Sequence, residues 1–183
     1  MPMLLPTDGD TPPVSFVFGY GSLIWRPGFV HGGAEPALLR GAHRCLCVFS
    51  HRYRGTSERP GLVFGLAHGG SCRGMAFRIP SSDWEEVRAY LWDREMVTGV
   101  YRPSVRLVEL SGGRSVEALV FLADPAHAQY AGQLDLDAQV RFIRQGHGQM
   151  GTNADYVLNT ARHLEDLGIP DHKLQRVCRA LGG

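Results

Sequence analysis

The chain has 183 residues, of which 44% are hydrophobic, and its 19 basic and 18 acidic residues give a formal net charge of +1. This length suits one domain with a sizeable core, and the near-balance of charge gives no electrostatic basis for binding nucleic acid or an anionic membrane. No apolar run approaches the ~18 residues of a membrane span, and the four cysteines are too scattered for a disulfide scaffold, so a cytoplasmic protein is expected.

The first 13 residues, "MPMLLPTDGDTPP", lack the basic start and the long apolar core of a signal peptide. They are interpreted as a flexible leader. The remaining chain, residues 14–183, is expected to form a single domain.

A short apolar run at 14–18 predicts the first strand, and the stretch "FGYGSLIWRP" at 18–27 overlaps its end. Gly19 and Gly21 have no side chains to pack in a core, which indicates that the backbone there adopts unusual φ/ψ angles or that another group comes close to it. The stretch lacks the third glycine of a dinucleotide loop and any Walker lysine. Ser22 lacks the G-x-S-x-G elbow of serine hydrolases. Backbone N–H groups that bind a carboxylate or an oxyanion are the expected use of this loop.

Further strands are predicted at 44–50, 62–67 and 72–78, with a polar loop, "HRYRGTSERPG", at 51–61. His43, Cys45 and Cys47 alternate along one of these strands and would face one side. They are candidate metal ligands, but cysteines in this pattern are more often small buried hydrophobes. No second C-x₂-C cluster supports zinc.

A helix is predicted from about Ser82 to Met96, where Ser82 and Glu85 form a capping-box pattern. Its buried stripe consists of Trp84, Val87 and Leu91, and the same spacing continues to Glu95. At ~100° per residue, Glu95 lies within about 20° of Trp84 around the helix axis.

Glu95 is therefore expected on the apolar face of the last helical turn. Burial and the negative end of the helix dipole would both raise the pKa of its carboxyl group. Two readings stay open from the residues alone: a general base, or a structural carboxylate paired with Arg94, Arg102 or solvent.

The last third of the chain follows a hairpin signal, "SGGR", between predicted strands at 106–110 and 115–121. Helices are predicted at 134–145, 152–167 and 170–181. Tyr156, Thr160, Leu164 and Leu167 share one face of the second of these, and Gly168 ends it. Strands first and helices last, with one helix between them, predict an α+β fold.

Four segments, in this order, resemble the ChaC branch of the γ-glutamylcyclotransferases, the glutathione-degrading type, from about residue 15 to residue 181. They are "VFGYGSLIWRPGF", "HRYRGTSERPGLVFGL", "GMAFRIP" before a helix ending "LWDREMVTGVY", and "GTNADYVLNTARHLEDLG". The resemblance implies a mixed, partly closed β-barrel-like sheet with packed helices. It also implies a small-molecule substrate, with no metal or organic cofactor, and no obligate protein partner is evident.

The resemblance also implies roles for particular residues. Glu95 matches the glutamate base of the family, and Tyr156 matches a position beside the substrate. The substrate-binding loop matches Phe18, Gly19, Tyr20, Gly21, Ser22 and Leu23.

The implied reaction is cleavage of glutathione to 5-oxoproline and Cys-Gly by attack of the α-amine on the γ-carbonyl. Two alternatives remain at this stage. The substrate can be another γ-glutamyl amine or dipeptide, because nothing in the sequence identifies a site for the Cys-Gly half. The protein can also be a non-catalytic regulator, as the historical link of the ChaC name to cation transport suggests.

Overall fold

The computed structural model describes residues 14–182, so the predicted leader at 1–13 lies outside the described residues. The chain divides into two compact units. The first comprises the chain up to Arg44 and Leu66–Asp124, and the second comprises Cys45–Gly65 and Pro125–Gly183. The expectation of a single domain stays a prediction.

Five strands form one closed barrel, and four α-helices, a short two-stranded sheet and two short 3₁₀ turns complete the described secondary structure. The barrel strands are β1 (Phe16–Gly19), β2 (Ala34–Ser50), β3 (Gly61–Arg78), β4 (Tyr101–Leu110) and β5 (Ser115–Ala123). The short pair is β6 (His147–Gly148) and β7 (Gly151–Thr152). The helices are α1 (Trp84–Glu95), α2 (Leu136–Gln145), α3 (Asn153–Asp166) and α4 (His172–Leu181).

The barrel order is β1-β3-β2-β4-β5, and parallel pairing of β1 with β5 closes it, with Val17 opposite Leu119. Strand β1 is antiparallel to β3, and β4 is antiparallel to both β2 and β5. The predicted α+β class with a mixed, barrel-like sheet is confirmed. No helix within residues 14–182 has the length and apolar character needed to cross a membrane.

The predicted strands are present, and those after β1 extend beyond their predicted bounds. Strand β2 begins at Ala34 rather than at residue 44. The prediction started too late because Pro36 and Gly41 interrupt the apolar pattern, although they do not end the strand. Gly41 has a φ of 84°, a left-handed conformation that glycine adopts without steric penalty. An isolated glycine in a strand often marks such a local irregularity rather than a strand end.

The predicted strands at 62–67 and 72–78 are a single strand, β3. The exposed residues between them include Gly69 and Gly70, which have φ values of 92° and 69°. The two glycines therefore interrupt the apolar pattern without ending the strand. The hairpin at "SGGR" is confirmed, with Glu109 opposite Ser115 and Gly113 at a φ of 80°.

Helix α1 buries the predicted stripe of Trp84, Val87 and Leu91 in the first unit. The capping-box prediction is wrong. The α-helix follows a 3₁₀ turn over Ser81–Asp83, and the residue preceding it, Asp83, makes no side-chain capping hydrogen bond. The Ser82 hydroxyl instead donates to the Asp83 carboxylate, at 3.0 Å.

The second unit contains α2, α3 and α4. Thr152 caps α3 as its side chain accepts the Asp155 N–H at 3.1 Å, and Gly168 follows the helix with a φ of 67°. The buried stripe of α3 is rotated from the predicted one. It includes Asn153 and Val157, whereas Leu167 is 40% exposed.

Asn153 is fully buried and hydrogen-bonds to the backbone of Leu62 in β3. Its Oδ1 accepts the Leu62 N–H at 2.7 Å, and its Nδ2 donates to the Leu62 carbonyl at 2.6 Å. The side-chain amide thus pairs with this residue as a neighbouring strand would. Both Leu62 groups depend on it, because buried backbone polar groups need a partner.

We therefore expect Asn153→Ala to destabilise the protein, by about 1–3 kcal/mol for each backbone group left unpaired. Urea unfolding measures the change. Asn159→Ala is the matched control, since Asn159 lies on the exposed side of the same helix and surface substitutions usually change stability by less than about 0.5 kcal/mol. Equal midpoints for the two variants would contradict the role of Asn153.

Candidate active site

Helix α1 ends at Glu95, whose side chain is only 15% exposed. The buried stripe of the helix brings the last turn against the core, so this carboxylate sits where water reaches it poorly. Burial raises the pKa of Glu95 above its ordinary value, and the positive charge of Arg94 opposes part of that rise. The site therefore holds a carboxylate whose basicity is greater than that of an ordinary glutamate.

Arg94 joins this carboxylate to the glycine loop. Its Nε atom lies 3.4 Å from Glu95 Oε1, and its Nη2 atom donates to Ser22 Oγ at 2.8 Å. Glu95 and Ser22 are 73 residues apart in the sequence, yet both contact one guanidinium group. The ion pair is thus located beside the glycine loop.

The loop is a tight turn that follows β1 directly. Ser22–Ile24 forms a 3₁₀ turn, in which the Ile24 N–H donates to Gly21 O at 3.0 Å. The first backbone N–H groups of such a helical turn have no hydrogen-bond acceptor within the turn. The Tyr20 carbonyl accepts from Arg44 Nε at 2.6 Å, and Arg44 is itself buried. A second arginine therefore holds the loop from the barrel side.

Gly19 is required by packing within the protein. A Cβ atom there would lie 3.0 Å from the Phe77 ring and 3.2 Å from Leu23 Cβ, which is tighter than ordinary contact. The close approach to the backbone that the sequence predicts at Gly19 is made here by the side chains of Phe77 and Leu23.

Exposure differs among the predicted loop residues. Phe18, Gly19, Tyr20, Gly21 and Leu23 are buried, whereas Ser22 is half-buried. The fully buried Phe18 ring belongs to the core, so it supports the loop by packing. Ser22 is the member of this group whose side chain is most accessible to a substrate.

Tyr156 lies in the second unit, on the first turn of α3. Its hydroxyl accepts the Phe64 N–H at 3.2 Å, and the Arg54 guanidinium lies 5.3 Å from the centre of its ring. Arg54 also donates to the carbonyls of Met150 and Thr152, at 2.6 and 3.1 Å. The half-buried ring is thus fixed within its own unit, and its contact with substrate stays a prediction.

The candidate metal ligands do not gather into a site. Within the described part of the chain, no group of three His, Cys, Asp or Glu residues is arranged to hold a metal ion. His43 Nδ1 is 2.9 Å from the Gly69 carbonyl. Cys47 is 1% exposed, and the hydrogen bond that its thiol donates to Cys45, together with burial, raises the pKa of that thiol. It is a buried thiol of the kind that packs as a small hydrophobe.

Sequence reasoning missed the two arginines that hold the loop. The sequence indicates Arg94 only as an ion-pair partner of Glu95, and it places Arg44 only at the start of a predicted strand. The signal available for Arg94 is its place next to a carboxylate in the last turn of a helix with a buried stripe. No local pattern distinguishes Arg44 from an exposed strand residue.

Comparisons with known proteins identify the family and the fold. The model of the family described as ChaC-like protein matches residues 15–181. The chain is 37% identical over 165 residues to a glutathione-specific gamma-glutamylcyclotransferase of Escherichia coli (strain K12), covering 90% of this chain and 71% of that one. It is 32% identical to a glutathione-specific gamma-glutamylcyclotransferase of Schizosaccharomyces pombe, covering 86% of each.

A solved structure shares the fold. The crystal structure of a glutathione-specific gamma-glutamyl cyclotransferase from yeast superposes with a TM-score of 0.84 at 23% identity, covering 92% of this chain and 95% of that one. At this level of identity the match supports the α+β barrel fold alone.

The buried position of Glu95 predicts a pH-dependent cost to stability. Because its pKa is raised in the folded protein, ionised Glu95 destabilises the fold at neutral pH, and this penalty disappears as pH falls and the group becomes protonated. We expect Glu95→Gln to be more stable than wild type at neutral pH and equal to it near about pH 4.

Urea midpoints at the two pH values measure this difference. Glu85→Gln is the control, because Glu85 is an exposed residue of the same helix and its replacement should not produce a gap that closes with acidification. A Glu95→Gln variant that is less stable than wild type at neutral pH would contradict the prediction.

Proposed function

Because the chain belongs to the ChaC-like protein family, we propose that it is a glutathione-specific γ-glutamylcyclotransferase that converts glutathione into 5-oxoproline and Cys-Gly. The observation that carries the proposal is the buried Glu95 carboxylate, which shares the Arg94 guanidinium with Ser22 of the glycine loop. Two relatives named for the glutathione-specific activity, at 37% and 32% identity, support the choice of substrate.

The nucleophile of this reaction belongs to the substrate. The α-amine of the γ-glutamyl group attacks the γ-carbonyl carbon, a five-membered lactam forms, and the bond to the cysteine nitrogen breaks. Since both reacting groups are in one molecule, the effective concentration is already high. The protein needs no nucleophilic serine or cysteine. It must hold the substrate curled, take up a proton and stabilise negative charge.

Glu95 fits the proton transfer. The substrate amine is an ammonium group at neutral pH, so it must lose a proton before it can attack. A carboxylate with a raised pKa accepts that proton more readily than an ordinary glutamate. The attacking nitrogen loses two protons in all, because the lactam keeps one N–H, and the departing cysteine nitrogen gains two as it leaves and becomes an ammonium group. Glu95 can carry these protons in turn from the first nitrogen to the second, which returns the carboxylate to its starting state at the end of the cycle.

The glycine loop fits the second requirement. The γ-carbonyl oxygen gains negative charge as the ring closes, and hydrogen-bond donors fixed in advance stabilise such charge. The backbone N–H groups of Gly21, Ser22 and Leu23 lie at the start of the turn, and we assign them this role. The buried neighbours of the turn support it, because they hold these donors in place before substrate binds.

A cytoplasmic location is part of the proposal. All four cysteines are thiols, as expected in a reducing compartment. Tyr156 is assigned to the substrate side of the site on the basis of the family resemblance.

The test of the function is formation of 5-oxoproline from a panel of γ-glutamyl compounds. We expect glutathione to be turned over with the highest kcat/KM, with Cys-Gly released in equal amount. A simple γ-glutamyl amine and a γ-glutamyl dipeptide are the comparison substrates. Equal turnover of all three would indicate a broader cyclotransferase, and no 5-oxoproline from any of them would favour a non-catalytic protein.

The test of the base is Glu95→Gln, which keeps the size and polarity of the side chain but cannot accept the proton. We expect the rate of 5-oxoproline formation to fall by about 10²-fold or more, the usual effect of losing a general base. Glu85→Gln on the same helix should keep wild-type activity. Near-normal turnover by folded Glu95→Gln protein would exclude the glutamate mechanism.

A further inference from the structure

We propose that Arg94 is a positioning residue of this site, whose guanidinium group fixes the glycine turn and the Glu95 carboxylate in one arrangement. The inference rests on the proposed function, because positioning has meaning only if the two parts act on one substrate. Because Arg94 contacts both the turn and the carboxylate, its loss should displace both.

The guanidinium group first anchors the chain segment that follows the turn. Its Nη1 atom donates to the carbonyl of Arg26 at 2.6 Å, to the carbonyl of Pro27 at 3.2 Å and to the Tyr90 hydroxyl at 2.9 Å. Two of these acceptors are backbone atoms of the loop, and the third belongs to the preceding turn of α1. The helix end and the loop are thus tied together at several points.

The other two nitrogens contact the turn and the carboxylate. Nη2 donates to Ser22 Oγ at 2.8 Å, and Nε lies 3.4 Å from Glu95 Oε1. A guanidinium group is planar, with its donors in a fixed fork. One rigid plane therefore sets the relative position of the serine hydroxyl and the carboxylate.

This arrangement also fixes the chemical character of Ser22. A guanidinium group has donors and no acceptor, so the serine oxygen is the acceptor in this contact. Its own proton is directed to another acceptor, such as an oxygen of the substrate. Arg94 thereby makes Ser22 a hydrogen-bond donor toward the site rather than a nucleophile.

Gly28 allows the Tyr90 hydroxyl to occupy its place beside Arg94. A Cβ atom on Gly28 would overlap that hydroxyl, and the glycine has a φ of 74°, where other residues are strained. The backbone at this position thus accommodates the packing around the guanidinium group.

The charge of Arg94 acts on Glu95 as well. Among the described residues, Arg94 is the charged group found to influence the pKa of Glu95, and it lowers that pKa against the larger effect of burial. Removing the charge should therefore raise the pKa. Since the base must be ionised to accept a proton, the acid limb of the pH–rate profile should move to higher pH.

The experiment compares Arg94→Gln and Arg94→Lys by the pH dependence of kcat/KM for glutathione in the full-length protein. Arg94→Gln removes both the fork and the charge, and Arg94→Lys keeps only the charge. We expect kcat/KM to fall in both by about 10²-fold, the scale of a ~1 Å misplacement. The acid limb should shift to higher pH in Arg94→Gln and stay near its wild-type position in Arg94→Lys.

Arg88→Gln is the matched control. Arg88 lies on the same helix, pairs with Glu85 at 3.3 Å and stacks over Trp92, so its loss should leave kcat/KM and the acid limb unchanged. A purely structural defect lowers the active fraction without moving the acid limb. Circular dichroism and thermal unfolding establish which variants are folded.

Full activity in Arg94→Lys would overturn the positioning role, because charge alone would then suffice. An unmoved acid limb in folded Arg94→Gln would overturn the electrostatic part. If Arg94→Gln does not fold, Arg94→Lys decides the positioning role, and wild-type kcat/KM would refute it. Failure of wild-type protein to form 5-oxoproline would instead reject the proposed function itself.

Discussion

The Arg94 guanidinium group lies between two structures that the sequence supplies separately. One is the turn after β1, in which Ser22 is half-buried between the buried residues Gly21 and Leu23. The other is the last turn of α1, which carries Glu95. Contacts at 2.8 Å to Ser22 Oγ and 3.4 Å to the carboxylate join them. The turn and the carboxylate are too distant in sequence to position each other, so their arrangement depends on this contact and on the barrel that presents both.

The burial of Glu95 follows from the buried stripe along α1. Trp84, Val87 and Leu91 are each less than 4% exposed, and their stripe fixes the rotation of the helix. Glu95 continues the stripe, so the apolar residues that stabilise the helix also remove water from the carboxylate. Arg94 offsets part of the resulting rise in pKa. The helix thereby carries a destabilised charge at its end and a stabilising core along its length.

The sequence predicted elements whose signals are local. The "SGGR" hairpin and the α1 stripe are short-range patterns, and the structure confirms them. The sequence did not predict the full length of β2, because Pro36 and Gly41 usually end strands and only barrel pairing keeps them in one. Within the site, the burial of Glu95 could be predicted from its position on the helix. The role of Arg44 did not, since its contact with the Tyr20 carbonyl exists only after the barrel has closed.

The chemistry explains why such a site can be built from so few functional groups. An intramolecular acyl transfer needs no nucleophile from the protein, so the remaining requirements are a base, donors for an oxyanion and a fixed distance between them. Distance is then the most demanding requirement, because a base or donor in the wrong place gives little catalysis. Two buried or half-buried arginines support the turn: Arg44 donates to the Tyr20 carbonyl, and Arg94 donates to the Arg26 carbonyl and to Ser22 Oγ. In the proposed mechanism these contacts hold the turn in place, and its own N–H groups and the Ser22 proton then meet the substrate.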